Sequence, residues 1–140
     1  MRTLFLIIPV LIVFTSFRFL SPVSLTVEVK GFPTNEGKAY IAVFRDTDEF
    51  PVYGKQYVGM RASISSNKAR AVFDALPSGD YAVAVFHDRN NNGKMDRNIL
   101  GIPTEHYGFS RDARELFSAP RFSSASFSMT VDRKIIIQVK

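Results

Sequence analysis

The stretch at residues 69–88, ARAVFDALPSGDYAVAVFHD, contains the two clearest strand patterns of the chain. Its two halves, ARAVFDAL and DYAVAVFHD, carry apolar residues at a period of two or in short runs, which indicates strands rather than helices. Pro77, Ser78 and Gly79 separate the halves and are typical of a turn. The stretch therefore predicts two successive strands at the centre of an all-β domain.

Similar patterns continue on both sides of this stretch. SLTVEVK alternates apolar and polar residues, KAYIAVF is more fully apolar, and we expect these two strands to pair as a hairpin-like unit. With about seven short strands separated by turn signals, the chain is predicted to form a single antiparallel β-sandwich. The predicted strands outside the central stretch lie at residues 24–30, 38–44, 57–64, 124–131 and 134–140.

Helical patterns are scarce after the first 21 residues. The one candidate is a turn or so at residues 111–116, where Ser110 is a potential N-cap and Asp112 would lie in the first turn. Residues 88–124 form the longest stretch without a convincing strand. Loops of that length in a compact domain are usually functional or hold structure of their own.

The N-terminal segment has the layout of a secretory signal peptide. Arg2 precedes an apolar run from Leu4 to Phe14, and the small polar residues Thr15 and Ser16 follow it. The run is short for a membrane span, which needs about 17–25 residues. We therefore expect a cleaved signal helix at residues 1–21, with a retained anchor as the alternative. The domain at residues 22–140 is then exported, to the periplasm, the cell surface or the medium.

Composition narrows the class of protein further. A chain of 140 residues with 46% hydrophobic residues is normally one globular domain. There is no cysteine, so neither a disulfide framework nor a lipid-modified cysteine is available. The net charge is +5, but the basic residues are spread singly along the chain, which argues against a nucleic-acid partner and against a membrane contact beyond the signal segment.

The loop after the second central strand spaces its oxygen-bearing side chains like a calcium-binding loop. The residues at positions 1, 3, 5, 7 and 9 are Asp88, Asn90, Asn92, Lys94 and Asp96. This D-x-N-x-N-G-x-x-D spacing matches the first nine positions of an EF-hand-type loop. Position 7 needs only a backbone carbonyl, so a lysine is acceptable there, and Gly93 permits the tight reversal at position 6.

The loop also departs from an EF-hand. Ile99 stands where the bidentate glutamate of position 12 would be, and no helical pattern flanks the loop. Because the loop has only two carboxylates, we expect a weak structural calcium site with a dissociation constant of about 0.1–1 mM. Glu105 or Asp112 could complete its ligand shell. The alternative is a polar turn in which the asparagine side chains bond to their own backbone.

A metal-dependent hydrolase is an alternative function. It would need His87, Asp88, Glu105 and His106 to meet at one end of the sandwich. Two histidines nineteen residues apart are a weak signal, and no complete catalytic constellation is present, so we assign no catalytic residue. We therefore expect a non-enzymatic protein with calcium as its one expected cofactor.

The loop that runs from Gly101 to Ser110 combines glycine, proline and aromatic residues directly after the polar loop. Its aromatic residues fit an ordered plug at the end of the sandwich. They also fit a recognition surface for an unknown protein or small ligand. In the second case the chain would be a binding module, or an envelope or surface protein-interaction module.

Residues 76–110, LPSGDYAVAVFHDRNNNGKMDRNILGIPTEHYGFS, closely resemble an exported bacterial domain-of-unknown-function family, DUF2141. The resemblance extends from about Val23 to Lys140. It implies a transthyretin-like or immunoglobulin-like β-sandwich with no established activity, cofactor or substrate. The Leu-Pro-x-Gly-x-Tyr piece is also similar to carboxypeptidase regulatory-like domains, which are binding or spacer modules. In such sandwiches the matching tyrosine, Tyr81, anchors a corner.

Overall fold

A computed structural model describes residues 21–140. Except for Ser21, the predicted signal segment lies outside the described residues. The described part is all-β, as predicted, with eight strands, one turn of α-helix (α1) and one turn of 3-10 helix. None of its helices is long and apolar enough to cross a membrane. The strands are β1 Val23–Lys30, β2 Lys38–Arg45, β3 Val58–Ser63, β4 Lys68–Leu76, β5 Gly79–Asp88, β6 Tyr107–Phe109, β7 Phe127–Met129 and β8 Arg133–Gln138.

The strands form two sheets. One sheet has three strands in the order β4-β1-β8, and the other has the order β3-β2-β5-β6, with β7 paired to the start of β5. Alternation in the sequence decides which side of each strand is buried, because successive side chains point to opposite faces. The apolar positions of β1 and those of β2 are almost fully buried in one common cluster, so the two sheets enclose a single core. These positions are Leu25, Val27, Val29, Ala39, Ile41 and Val43.

One predicted strand pairing and the predicted strand direction are wrong. The first two strands do not form a hairpin: β1 pairs with β4 and β8, whereas β2 pairs with β3 and β5. The connection at residues 31–37 instead carries the chain from one sheet to the other, and Phe32 is buried in the core on the way. The sheets are also not purely antiparallel, because β1 and β8 run parallel. Strands β1 and β2 each turn an apolar face to the common core, and facing strands can share a core without being neighbours.

The prediction for residues 111–131 is also partly wrong. The helical turn is shorter and earlier than expected, at Ser110–Asp112, and Ser110 does not cap it. The Ser110 hydroxyl is buried, accepting the backbone N–H of Val83 at 2.9 Å and donating to the Ala125 carbonyl at 2.6 Å. The strand predicted from residue 124 begins only at Phe127, because Phe122–Ala125 form α1.

Strand β5 is buried along nearly its whole length on both faces. Its inner face contributes Tyr81, Val83 and Val85 to the core between the sheets. The long connection, residues 89–126 between β5 and β7, contains β6 and α1. It covers part of the outer face of β5, which is turned away from the three-stranded sheet. There, Ala82 packs in a second small cluster with Ala113, Ala125, Phe50, Phe109 and Phe122. The long connection therefore folds back over the sheet instead of projecting from it.

Tyr81 anchors the corner before β5, as the resemblance implied. Its ring is buried, and its hydroxyl donates a hydrogen bond of 2.7 Å to the carbonyl of Pro77. Burial raises the pKa of the Tyr81 hydroxyl above its ordinary value. The protonated form is therefore the one that the folded chain favours.

Replacing Tyr81 with phenylalanine should lower the free energy of unfolding by about 0.5–1.5 kcal/mol, because one buried hydrogen bond is lost. Stability should also fall as the pH rises above about 10, since tyrosine in the unfolded chain ionises there first. The phenylalanine variant should lose less stability over this pH range. Denaturant unfolding at a series of pH values measures both effects.

The matched control is Tyr107→Phe, because the Tyr107 hydroxyl makes no hydrogen bond within residues 21–140. It should leave the free energy of unfolding at neutral pH within about 0.5 kcal/mol of the original. Equal losses in the two variants would show that the corner hydrogen bond contributes nothing.

Candidate functional site

The candidate site begins at Asp88, the last residue of β5. The side chain is fully buried, with 0% of the residue exposed. Its Oδ2 accepts the backbone N–H of Gly93 at 2.9 Å, which draws the loop back over the end of the strand. Its Oδ1 is also buried and has no hydrogen-bond partner within the described residues. A carboxylate is rarely buried with an oxygen left unpartnered, because the lost hydration is not replaced.

Three further predicted ligands lie together next to it. The Asp96 carboxylate accepts the side-chain amide of Asn90 at 2.7 Å and that of Asn92 at 2.8 Å. The carbonyl oxygens of the two asparagines accept the backbone N–H groups of Asn92 and Lys94. The bonds of the predicted polar turn are therefore present. They leave each side-chain oxygen with a second lone pair.

Glu105 ties the two ends of this loop together. One carboxylate oxygen accepts the backbone N–H of Arg89 at 2.9 Å, and the other accepts that of Asp96 at 3.0 Å. Asp112, the other residue predicted to complete the site, lies elsewhere and pairs with Arg114 and Lys140. The structure therefore places Glu105 beside the loop, whereas Asp112 lies elsewhere.

The backbone of the loop needs a left-handed conformation at two positions. Asn91 and Gly93 have φ angles of 58° and 76°. Asparagine tolerates this conformation better than most residues, and glycine adopts it without strain. Gly37 is packed directly against the start of the loop: a Cβ atom there would lie 2.1 Å from the Asp88 carbonyl oxygen. The connection after β1 thus supports the loop from behind.

Positive charge also surrounds the loop. The guanidinium of Arg61 lies against Gly93 and 5.0 Å from the ring centre of Tyr40. Arg89, which sits within the loop, forms an exposed ion pair with Glu36 at 3.2 Å. This pairing partly offsets the charge that Arg89 places beside the loop.

The residues of the alternative hydrolase site do not all share one side of the sheet. His87 and Asp88 are neighbours on β5, so their side chains face opposite sides. The His87 ring packs edge-on against Phe32, and its Nε2 lies 2.7 Å from the carbonyl oxygen of Glu36. Within residues 21–140, no group of three or more His, Asp or Glu side chains is placed to hold a metal ion.

The loop at residues 101–110 does not simply plug the end of the two sheets. Its last part forms β6, where Tyr107 and Phe109 are half-buried with ring centres 5.8 Å apart. Its first part borders a cleft on the outer face of the five-stranded sheet, together with Tyr40 and Phe86. Sequence reasoning missed this cleft. The signal was the pair of aromatic residues at the outward positions of β2, in the strand KAYIAVF.

Replacing Glu105 with alanine should lower the free energy of unfolding by about 2–3 kcal/mol, because two backbone N–H groups lose a charged acceptor. The amide protons of Arg89 and Asp96 should also exchange faster with solvent. Denaturant unfolding and amide hydrogen exchange by NMR measure these two effects. A glutamine at the same position keeps one acceptor oxygen and should lose less.

Glu115→Ala is the control, because the Glu115 carboxylate makes no hydrogen bond or ion pair within residues 21–140. Its stability should stay within about 0.5 kcal/mol of the original. If both variants lost the same stability, Glu105 would not tie the loop together.

The profile of one protein family matches residues 27–137 of the chain, and its description reads "Uncharacterized protein conserved in bacteria (DUF2141)". This range covers most of both sheets and the whole Asp/Asn loop. No curated protein sequence and no solved structure matches the chain significantly.

Proposed function

The chain belongs to this family of uncharacterized bacterial proteins, and we propose that it is an exported, non-enzymatic binding module stabilised by calcium. In this proposal the two sheets form a transthyretin-like or immunoglobulin-like sandwich. The loop from Asp88 to Asp96 binds one Ca²⁺ ion weakly, and the loop at residues 101–110 contacts a ligand. The ion has a structural role, because it holds a long loop against the sheet.

The unpartnered oxygen of Asp88 is the observation that carries the calcium proposal. A buried carboxylate oxygen without a donor costs free energy unless a hydrogen bond or a cation compensates it. Oδ2 of the same carboxylate bonds to Gly93 in the middle of the loop, so the group faces the loop and not the core. A cation bound by the loop would compensate the charge of Asp88.

The other donors fit calcium better than zinc. They are side-chain oxygens of Asn90, Asn92 and Asp96, with the backbone carbonyl of Lys94 at the seventh position. Calcium takes six to eight oxygen ligands in flexible geometry, whereas zinc prefers histidine and cysteine. Only two of the four side chains are charged, and Arg61 lies close by, which supports an affinity of about 0.1–1 mM. Calcium outside the cytosol is abundant enough to fill such a site.

With 10 mM Ca²⁺, binding at this affinity should stabilise the folded protein by about 1.5–2.5 kcal/mol. The melting temperature should therefore rise by about 5–10 °C relative to the protein in chelator. Asp88→Asn should abolish this rise, because it removes a charge while an amide oxygen can still accept the Gly93 N–H. Differential scanning calorimetry with calcium, with magnesium and with chelator measures the shift.

Asp80→Asn is the matched control, since Asp80 is an exposed carboxylate at the opposite end of β5. This variant should keep the full rise with calcium. If Asp88→Asn and Asp88→Ala lost equal stability with calcium and with chelator, the loop would be only a polar turn. If the original protein showed no rise with calcium, the proposal of a bound ion would fail at once.

A further inference from the structure

We propose that the cleft on the outer face of the β3-β2-β5-β6 sheet binds a long-chain carboxylic acid, with its apolar tail on the sheet and its carboxylate at Arg97. This inference deepens the binding role proposed above and rests on that role, but it does not require calcium.

The size and the walls of the cleft suit a small apolar ligand. Its volume is about 720 Å³, within the range of about 300–1,000 Å³ that is common for small-molecule sites. Its floor is the outer face of β2, β5 and β6, where Tyr40 and Phe86 stack with ring centres 5.1 Å apart. Tyr53 stands edge-on to Tyr40 at 5.5 Å and forms one wall. Leu100 and Ile102 also line the cleft.

The part of the floor formed by β2 and β5 cannot be extended by pairing with another strand, because both strands already have a neighbour on each side. β2 pairs with β3 and β5, and β5 pairs with β2 and β6. A ligand in the cleft therefore contacts side chains, and these are mainly aromatic and aliphatic. The hydrophobic effect then supplies most of the binding free energy.

Arg97 supplies the charge complementarity for an acidic head group. Its Nη1 donates to the carbonyl oxygen of Gly101 at 2.9 Å, and its Nη2 lies 3.9 Å from the sulfur of Met95. Its guanidinium forms no ion pair within residues 21–140, although it lines an apolar cleft. A guanidinium binds a carboxylate through paired hydrogen bonds, and the bonds strengthen where water is excluded.

The segment at residues 114–119 would cover the ligand. Leu116 and Phe117 are 92% and 100% exposed, and Leu116 borders the cleft. Within the described part of the chain, this segment makes no backbone hydrogen bond, so moving it breaks none. A tail lying in the cleft would give these exposed side chains an apolar contact. Glu115 is the one carboxylate on the lining, and it lies on this same segment.

The test uses the full chain and cis-parinaric acid, a fluorescent polyene carboxylic acid, compared with its methyl ester. We expect saturable binding of the acid with a dissociation constant of about 10–100 μM, as the efficiency of ligands of this size implies. Arg97→Gln should weaken binding of the acid about ten-fold, because a charge-assisted contact is lost. The same variant should leave binding of the ester unchanged.

Three further variants check the position of the ligand. Tyr53→Ala should weaken the binding of the acid and of the ester by the same factor, about five-fold or more, because the Tyr53 ring forms a wall of the cleft. The variant should still fold, since this ring is half-exposed and contributes little to the core. Val131→Ala removes an exposed apolar side chain that does not line the cleft and should change neither affinity. Glu115→Gln should leave binding of the acid unchanged or tighten it.

Several results would overturn the inference. One is the absence of saturable binding, and another is binding that neither Arg97→Gln nor Tyr53→Ala weakens. Equal affinity for the acid and the ester would show that the carboxylate does not contribute to binding. Concentration-dependent dimerisation that Phe117→Ser abolishes, without binding of the acid, would show that a second copy covers the cleft. The titration is repeated with Asp88→Asn in chelator, and undiminished binding there would separate this site from any failure of the calcium site.

Discussion

The burial of β5 on both faces is the constraint on which the rest of the structure depends. A strand of an antiparallel sheet usually has one face on the core and one toward water. Here the inner face packs in the core between the sheets, and part of the outer face lies under the long connection. The chain therefore needs the connection as a cover, and the functional candidates lie where that cover begins and where it is incomplete.

The polar loop is the beginning of this cover, and the cleft lies where the cover is incomplete. The loop starts where β5 ends, and the buried carboxylate of Asp88 makes its first contact. Met95 and Arg97, on either side of Asp96, line the cleft. A change in the position of Asp96 would therefore move two side chains of the cleft, because they share one short stretch of backbone. Residues 88–97 therefore contribute side chains both to the polar loop and to the cleft.

The sequence predicted the positions of the strands better than it predicted which strands pair. Seven of the strands and the all-β class follow from apolar alternation, which is a local property. The hairpin between β1 and β2 was predicted wrongly, because alternation shows which face of a strand is apolar but not whether the neighbouring strand lies beside it or across the core. The parallel pairing of β1 with β8 joins residues about one hundred positions apart, and no local pattern encodes such a contact. Similarly, Ser110 was predicted to cap a helix, yet its hydroxyl is buried between Val83 and Ala125.

By itself, the sequence determined the strand-forming segments, the turn at Pro77 and Gly79, and a loop whose oxygens recur at every second position. These features depend on residues close together in the chain, where backbone preferences and spacing act directly. Only the tertiary structure decided that Asp88 is buried with one oxygen unpartnered, that Glu105 ties the loop, and that Arg97 borders an aromatic cleft. Each of these depends on which distant segments cover β5, and burial is a property of the packed chain and not of any single segment.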